Sequence, residues 1–476
     1  MPKHILFILS DQHNASVMGC AGNTIVSTPN LDHLAARGTS LEACSCASPL
    51  CVPSRSSLLS TLLPSRTGVF TNAQCLPSDR LTFVHQLALS GMHTVLAGRM
   101  HFKGPDQRHG FRERLVGDIG DTHWGYREPG HPLFRCYGGE ARALEEACGG
   151  ESHVLAYDRE VTRAACEYLE SWDAETPLFL TVGFYGPHNP YVCPPDLFQK
   201  YMERLPDEPE MPAEETLHPA VREHLKWTGV QTLPPEVFRR SKAAYYGMIE
   251  QMDRHIGRIL EAARSLGDDV LIVYASDHGD MAGEKGLFWK SVLFEGAVRV
   301  PVLMQAPDIP PGIHLRTPTS LMDIGPTLLA AVGAEAMRES DGVNLWPALR
   351  RGEEPATERP IVSQYCIHRP PHGAMVRKGP WKLIRFIGHE RPQLFHLDQD
   401  PGEEVDLAVN PDANTQDILA ELNKYLDEVW DPEFALETAR SSRFHSQRLV
   451  KFHQLEQKDM PDVWWQPEGW TESRNA

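Results

Sequence analysis

A thiol, an acid–amide pair, an acid–imidazole pair and a few isolated cations stand where this sequence could do chemistry. The thiol is Cys51, opening the stretch Cys51-Val52-Pro53-Ser54-Arg55-Ser56-Ser57-Leu58-Leu59-Ser60-Thr61. Pro53 fits the first turn of a helix, where a missing N–H costs nothing. The spacing of Leu58, Leu59, Leu62 and Leu63 predicts a helix with one buried face. A cysteine at such a helix start feels the positive end of the dipole, which lowers a thiol pKa and attracts anions. Arg55 adds a planar cationic fork one turn on. A buried structural cysteine ahead of an ordinary helix has the same appearance, so the rest of the chain must decide.

The remaining candidates fall where predicted strands end. Ile5 to Leu9 is a continuous apolar run, read as a strand buried on both faces of a parallel sheet, and it closes in Ser10-Asp11-Gln12. Pro177 to Phe184 is a second such run and leads into Gly186-Pro187-His188. Val270 to Ala275 is a third and closes in Ser276-Asp277-His278-Gly279-Asp280. Open α/β sheets place their ligands at the carboxyl ends of strands. Asp11 and Gln12 offer hard oxygens for calcium or magnesium, and Asp277 with His278 suits a metal or an acid–base pair. Arg99 and His101, two apart after a short strand at His93 to Ala97, would face one side. Lys290 follows Gly286-Leu287-Phe288-Trp289.

Helices are expected at Thr28 to Gly38, Arg80 to Ser90, Asp158 to Trp172, Phe238 to Leu266 and Leu321 to Val332, with a further strand at Val298 to Gln305. Gly104 to Glu151 reads as irregular loops, and Asp196 to Pro235 as a mobile insertion or lid. Short strands at Arg359 to Cys366, Gly373 to Arg377 and Trp381 to Phe386, then a helix at Thr415 to Trp430, suggest a smaller domain. The expected fold is therefore α/β, with a large, mostly parallel central sheet flanked by helices and a C-terminal α+β part on an antiparallel sheet. The boundaries are 1–345, 346–440 and a tail, 441–476. That tail carries Trp464, Trp465 and Trp470, which would dock on the chain's own body or on a second copy in a homo-oligomer.

A net charge of −18 over 476 residues argues against a nucleic-acid partner, so any anion pocket must be a local positive island. Contents of 41% hydrophobic and 23% charged residues are those of a soluble globular protein. No run has the apolar length to span a bilayer, and Met1 to Ser10 lacks the h-region and cleavage site of a signal peptide. A cytoplasmic protein without membrane association is expected. The ten cysteines have irregular spacing and form neither a disulfide framework nor a zinc site; Cys44 and Cys46 lack a matching second pair.

Cysteine phosphatases carry an arginine at the place held here by Ser57. The Cys51-x-Pro53-Ser54-Arg55 stretch instead resembles the signature of type I sulfatases of the alkaline-phosphatase superfamily. The resemblance extends through Ser10-Asp11-Gln12, Cys51 to Gly68, Gly98 to His101, Gly186-Pro187-His188, Ser276-Asp277-His278-Gly279 and Lys290, in the family's order. Ala97 to Phe111 and the two acid pairs look closest to the choline-sulfatase-like and phosphonate-hydrolase-like branch.

The resemblance implies that a formylglycine-generating enzyme converts Cys51, whose hydrate then attacks sulfate sulfur. It implies one divalent cation, calcium first with manganese or magnesium as alternatives, on Asp11, Gln12, Asp277, His278 and the residue-51 hydroxyl. Arg55 would stabilise the hydrate; Arg99, His188 and Lys290 would bind sulfate oxygens. His188 or Lys290 would protonate the departing alcohol, and His101 would be the base of the second step. This sequence departs from the family's usual pattern in having Arg99 for lysine, Gln12 for a second aspartate and His278 for asparagine. The implied activity is hydrolysis of a carbohydrate or small organic sulfate ester. A phosphonate or phosphodiester hydrolase, or a silent binding protein with Cys51 left as a thiol, are the other readings.

Overall fold

The computed structural model describes residues 1–119, 138–206, 217–367 and 369–456. Strands β1 (His4–Asp11), β2 (Thr39–Leu41), β3 (His93–Gly98), β4 (Glu113–Val116), β5 (Leu178–Pro187), β6 (Val270–Ser276), β7 (Val302–Gln305) and β8 (Ile313–Leu315) share one sheet. Their order is β8-β2-β7-β6-β1-β5-β3-β4. The five strands from β6 to β4 run parallel, whereas β7 is antiparallel to both of its neighbours. The three apolar runs of the sequence lie side by side as β6, β1 and β5, and every residue of β1 and β5 is buried. Their lack of alternation is what burial on both faces requires.

Register then assembles the chemistry. Ser10 stands opposite Ser276, and Asp11 opposite Pro187, so Asp11, Asp277 and His188 leave adjacent strands at one edge. Between β3 and β5, Gly98 pairs with Gly183. A Cβ on Gly183 would fall 1.9 Å from the Arg99 carbonyl oxygen, and one on Gly98 would fall 2.3 Å from that of Gly183. Only glycine allows this approach, and it sets where Arg99 emerges.

Helices α1 (Pro29–Arg37), α2 (Cys51–Ser60), α3 (Phe83–Leu89), α4 (His153–Ser171), α5 (Pro195–Arg204), α6 (Pro219–Thr228), α7 (Pro235–Ala262) and α8 (Ile324–Ala331) follow the expected pattern in most places. Three expectations change. Helix α2 is buried on all sides rather than on one face. Its Ser54 and Arg55 turn inward onto Asp277, which absorbs their polarity. The stretch expected as a lid is helical where described, with α5 clamped to α7 by Lys200 and Tyr201 on Glu250. The strand expected from Val298 starts at Val302, because Glu295–Val298 is a helical turn and Pro301 cannot donate to the ladder.

The C-terminal sheet runs β9 (Ile361–Tyr365), β10 (Gly373–Lys378), β11 (Trp381–Phe386) and β12 (Gln393–His396), all antiparallel. Tyr365, Met375, Ile384 and Phe395 join the main core, while Val362, Ala374, Val376, Leu383 and Leu394 pack with α9 (Ala413–Val429). The period-two pattern thus makes the sheet a shared wall. A helix missed in the sequence, α10 (Pro432–Glu456), follows, while Trp464, Trp465 and Trp470 lie outside the described residues. Among the described residues, no helix is long and apolar enough to cross a membrane.

Because Gly183 abuts the Arg99 carbonyl, Gly183→Ala should cost about 3 kcal/mol through overpacking. Its urea midpoint and turnover should fall together; wild-type values of both would refute the close approach of Gly183 to the Arg99 carbonyl.

Candidate active site

Cys51 is the first residue of α2, and no side chain caps the helix start, although Asn72 Oδ1 accepts the Val52 N–H at 3.0 Å. Its Sγ lies 3.2 Å from His278 Nε2, 3.4 Å from Lys290 Nζ and 3.7 Å from Asp11 Oδ1. One ligand atom from each of Asp11, Cys51, Asp277 and His278 fits within 4.8 Å of the others, all four residues being buried. The site predicted from separate strand ends is therefore a single cluster. Cys44 and Cys46 are different: burial pushes both thiols up and leaves them inert.

The two carboxylates divide their oxygens. Asp11 Oδ2 accepts from Arg99 Nε at 2.7 Å and Arg55 Nη2 at 3.2 Å, and Asp277 Oδ2 accepts from Arg55 Nε at 2.7 Å. Each Oδ1 faces the centre instead, 3.6 Å from His278 Nε2. Burial alone would raise Asp11, but Arg99 foremost, then His188, Arg55 and Lys290, hold it well below the usual carboxylate range. Gln12, at a φ of 74°, turns Oε1 to Lys290 Nζ at 2.7 Å.

Both arginines are engaged by the protein itself. Arg55 spends its donors on Asp277, Asp11 and the Arg99 carbonyl, so it orients carboxylates rather than hydrogen-bonding residue 51. Arg99 lines the cavity but is largely engaged by the protein. Besides Asp11, it donates to Asp118 Oδ1 at 3.1 Å and His101 Nδ1 at 2.8 Å, and it lies 4.1 Å above the Tyr185 ring. Asp118 was not foreseen: a lone acid in an irregular loop carries no signal of its own. It also accepts the His101 N–H at 2.6 Å, holding that residue at a φ of 55°.

The imidazoles have fixed protons. A guanidinium only donates, so His101 Nδ1 accepts from Arg99 and its neutral ring carries hydrogen on Nε2. Carbonyls only accept, so His188 Nδ1 donates to Asn189 O at 2.6 Å, and His278 Nδ1 to Gly279 O at 3.1 Å. Both then carry an Nε2 lone pair; that of His278 faces Cys51, and His188 lines the same cavity as Cys51. Burial lowers all three imidazole pKa values, helped by Arg99 at His101 and by Lys290 at His188 and His278.

Above Cys51 opens a cavity of about 270 Å³, lined by the cations named and by Asn72, Tyr185, Asn189, Trp227 and Trp289 among others. The aromatic residues carried no motif and meet only through the fold.

A mostly parallel sheet with a cluster of candidate metal ligands and cationic walls at its strand ends defines an alkaline-phosphatase-like hydrolase. The Sulfatase family profile matches residues 3–334, and that of the N-sulphoglucosamine sulphohydrolase C-terminal region matches 283–431. The chain is 36% identical to choline-sulfatase of Rhizobium meliloti (strain 1021), over 86% of its own length and 83% of the relative's. Arylsulfatase K of Xenopus laevis is 25% identical over 90% and 83%. Phosphonate monoester hydrolase of Agrobacterium radiobacter superposes with a TM-score of 0.74 at 21% identity, covering 94% of this chain and 96% of that one. The chain belongs to the sulfatase family and is a sulfatase enzyme.

Arg99→Lys tests the bridging guanidinium. A single ammonium cannot reach Asp11, Asp118 and His101 together, so kcat/KM should fall at least about tenfold with KM little changed. Full activity would show that charge alone suffices there.

Proposed function

We propose that this sulfatase cleaves a small sulfate monoester with position 51 converted from cysteine to formylglycine. The carrying observation is the Cys51 cluster, with two carboxylate oxygens, one imidazole lone pair and one ammonium converging on the head of α2. The hydrated aldehyde supplies one hydroxyl to attack sulfur and a second whose deprotonation lets the aldehyde reform as sulfate leaves. The donor set fits a divalent cation: two carboxylates are held ready by arginines, and the His278 tautomer is locked by a backbone carbonyl. Asp11, Asp277, His278 and the Gln12 amide oxygen would hold it, calcium before manganese or magnesium. There it would polarise a sulfate oxygen and acidify the attacking hydroxyl.

The protein's own groups take the remaining roles. His188, which lines the cavity with Cys51 and keeps a lone pair on Nε2, is assigned the proton that the resemblance gives to His101. His101, whose Nδ1 is taken by Arg99, donates Nε2–H to a sulfate oxygen. Lys290, 3.4 Å from Cys51 Sγ, protonates the departing alcohol. Arg99 adds charge to the pocket wall while holding Asp11 and His101.

The small cavity and its Trp227 and Trp289 walls favour a compact alcohol over a polymer. Aromatic faces suit a quaternary ammonium, which makes choline sulfate the first candidate, in keeping with the choline-sulfatase relative. The described cysteines are all unpaired, which suits a reducing compartment such as the cytoplasm.

Cys51→Ala should lower turnover at least about 1,000-fold, and the residue-51 peptide from the native host should have the mass of formylglycine. An unmodified thiol with no turnover would refute the mechanism. At equal metal loading, choline sulfate should outrun sulfated mono- and disaccharides, aryl sulfates and phosphonate monoesters; a phosphonate preference would overturn the sulfate assignment. Burial and Lys290 hold His188 below the ordinary imidazole value of 6.5. A base of the second step must be deprotonated, so kcat should fall as pH drops below 6.5, and His188→Gln should lower kcat more than kcat/KM.

A further inference from the structure

Two residues past His278, the carboxylate of Asp280 is wholly buried and gathers four donors. Its Oδ2 accepts from Gln12 Nε2 at 2.7 Å and Tyr191 OH at 2.5 Å. Its Oδ1 accepts the N–H groups of Ala282 and Trp289, both at 2.8 Å. Asn189 Oδ1 lies 3.4 Å from the same Gln12 nitrogen, while Lys290 donates to Gln12 Oε1 on the other side. Reversing the Gln12 amide would set its oxygen against a carboxylate and its NH2 against an ammonium. Electrostatics therefore fixes Oε1 toward Lys290, whose ammonium also lies 3.4 Å from Cys51 Sγ.

The second oxygen of Asp280 acts on the chain beside Lys290. Ala282, Lys285, Trp289 and Ser291 have φ values of 46°, 53°, 62° and 72°. Such non-glycine residues persist only where surrounding contacts over-determine them. The bond to the Trp289 N–H, with Met281 N donating to Trp289 O at 2.7 Å, supplies that constraint.

We propose that Asp280 is a positioning residue of the sulfatase reaction, aiming the Gln12 amide oxygen into the site and pinning the Trp289-Lys290-Ser291 turn above Cys51. The family's usual carboxylate at position 12 is thereby replaced by an amide with a carboxylate one hydrogen bond behind it. The inference rests on the reading of Gln12 as a metal ligand.

The test is calcium calorimetry on the full chain after chelator treatment, with kcat and KM measured alongside. Asp280→Asn cannot accept from all four donors, so calcium binding should weaken about 10- to 100-fold, with kcat falling more than KM rises. Gln12→Glu alone opposes two carboxylates and should also weaken binding. Combining the two substitutions inverts the pair: the introduced amide accepts from the Ala282 and Trp289 N–H groups through its oxygen and donates through its nitrogen to the introduced carboxylate. The double variant should bind calcium and turn over at least about tenfold better than Gln12→Glu, a rescue that a merely structural aspartate would not give. This comparison decides the matter even if Asp280→Asn fails to fold. A double variant no better than Gln12→Glu, or wild-type behaviour of Asp280→Asn, would overturn the proposal. Unchanged calcium affinity in Gln12→Ala would instead remove the reading of Gln12 itself.

Discussion

Asp11 Oδ2, fully buried at the base of the site, receives two arginines, and the remaining chemistry is arranged around that bond pair. A carboxylate buried this deeply persists as an anion only if opposed by charge, because the loss of hydration exceeds what one weak partner returns. Arg55 arrives from α2 and Arg99 from the end of β3, so one oxygen fastens the helix that begins at Cys51 to the sheet. The other is left facing the centre. Buried Asp11, Asp118, Asp277 and Asp280 are met by Arg55, Arg99, Lys290 and the buried Arg114 guanidinium, which lies 3.9 Å from Asp118. A positive island in a protein of net charge −18 therefore depends on locally paired charges rather than on the overall field.

One of those arginines, Arg99, explains why His101 differs in tautomer from the two other imidazoles at the site. His188 and His278 each give Nδ1–H to a neighbouring carbonyl, and each keeps a lone pair on Nε2. His101 has its Nδ1 against a guanidinium, so its hydrogen sits on the opposite nitrogen. No sequence rule distinguishes these states, since each depends on a single backbone or side-chain partner set by the fold. Arginine at position 99 makes the distinction stable: its fork spans Asp11, Asp118 and His101 at once, whereas the family's usual lysine offers one point of charge.

The strands β1, β5 and β6 were legible because full burial leaves an unbroken apolar run, and their ends named Asp11, His188 and Asp277 directly. Cys51 and Lys290 were legible through local pattern and resemblance. Asp118 and Asp280 were not: each acts through a bond spanning many residues, Asp280 to Gln12 across most of the catalytic fold. Helix α2 was placed correctly but its surroundings were misread, because its inward polar residues bind Asp277 and leave no solvent-facing side. The Asp196 to Pro235 stretch is helical where described: Pro219 begins α6 and Pro235 begins α7, as proline in a first turn does.

The C-terminal sheet contributes more than a cover for the fold. Lys382, wholly buried on β11, pairs with Glu295 and Glu403 at 2.8 Å each, and Glu403 accepts the Glu295 N–H at 2.7 Å. Lys285 reaches the Glu403 carbonyl at 2.7 Å. The segment from Asp280 to Glu295, which carries Trp289 and Lys290, is therefore fastened at one end through Gln12 to the central strand and at the other to a sheet formed about ninety residues later in the chain. A turn with four positive-φ side chains cannot hold its shape on its own. Its geometry is borrowed from both anchors, so the C-terminal sheet is part of what places the ammonium of Lys290 over Cys51.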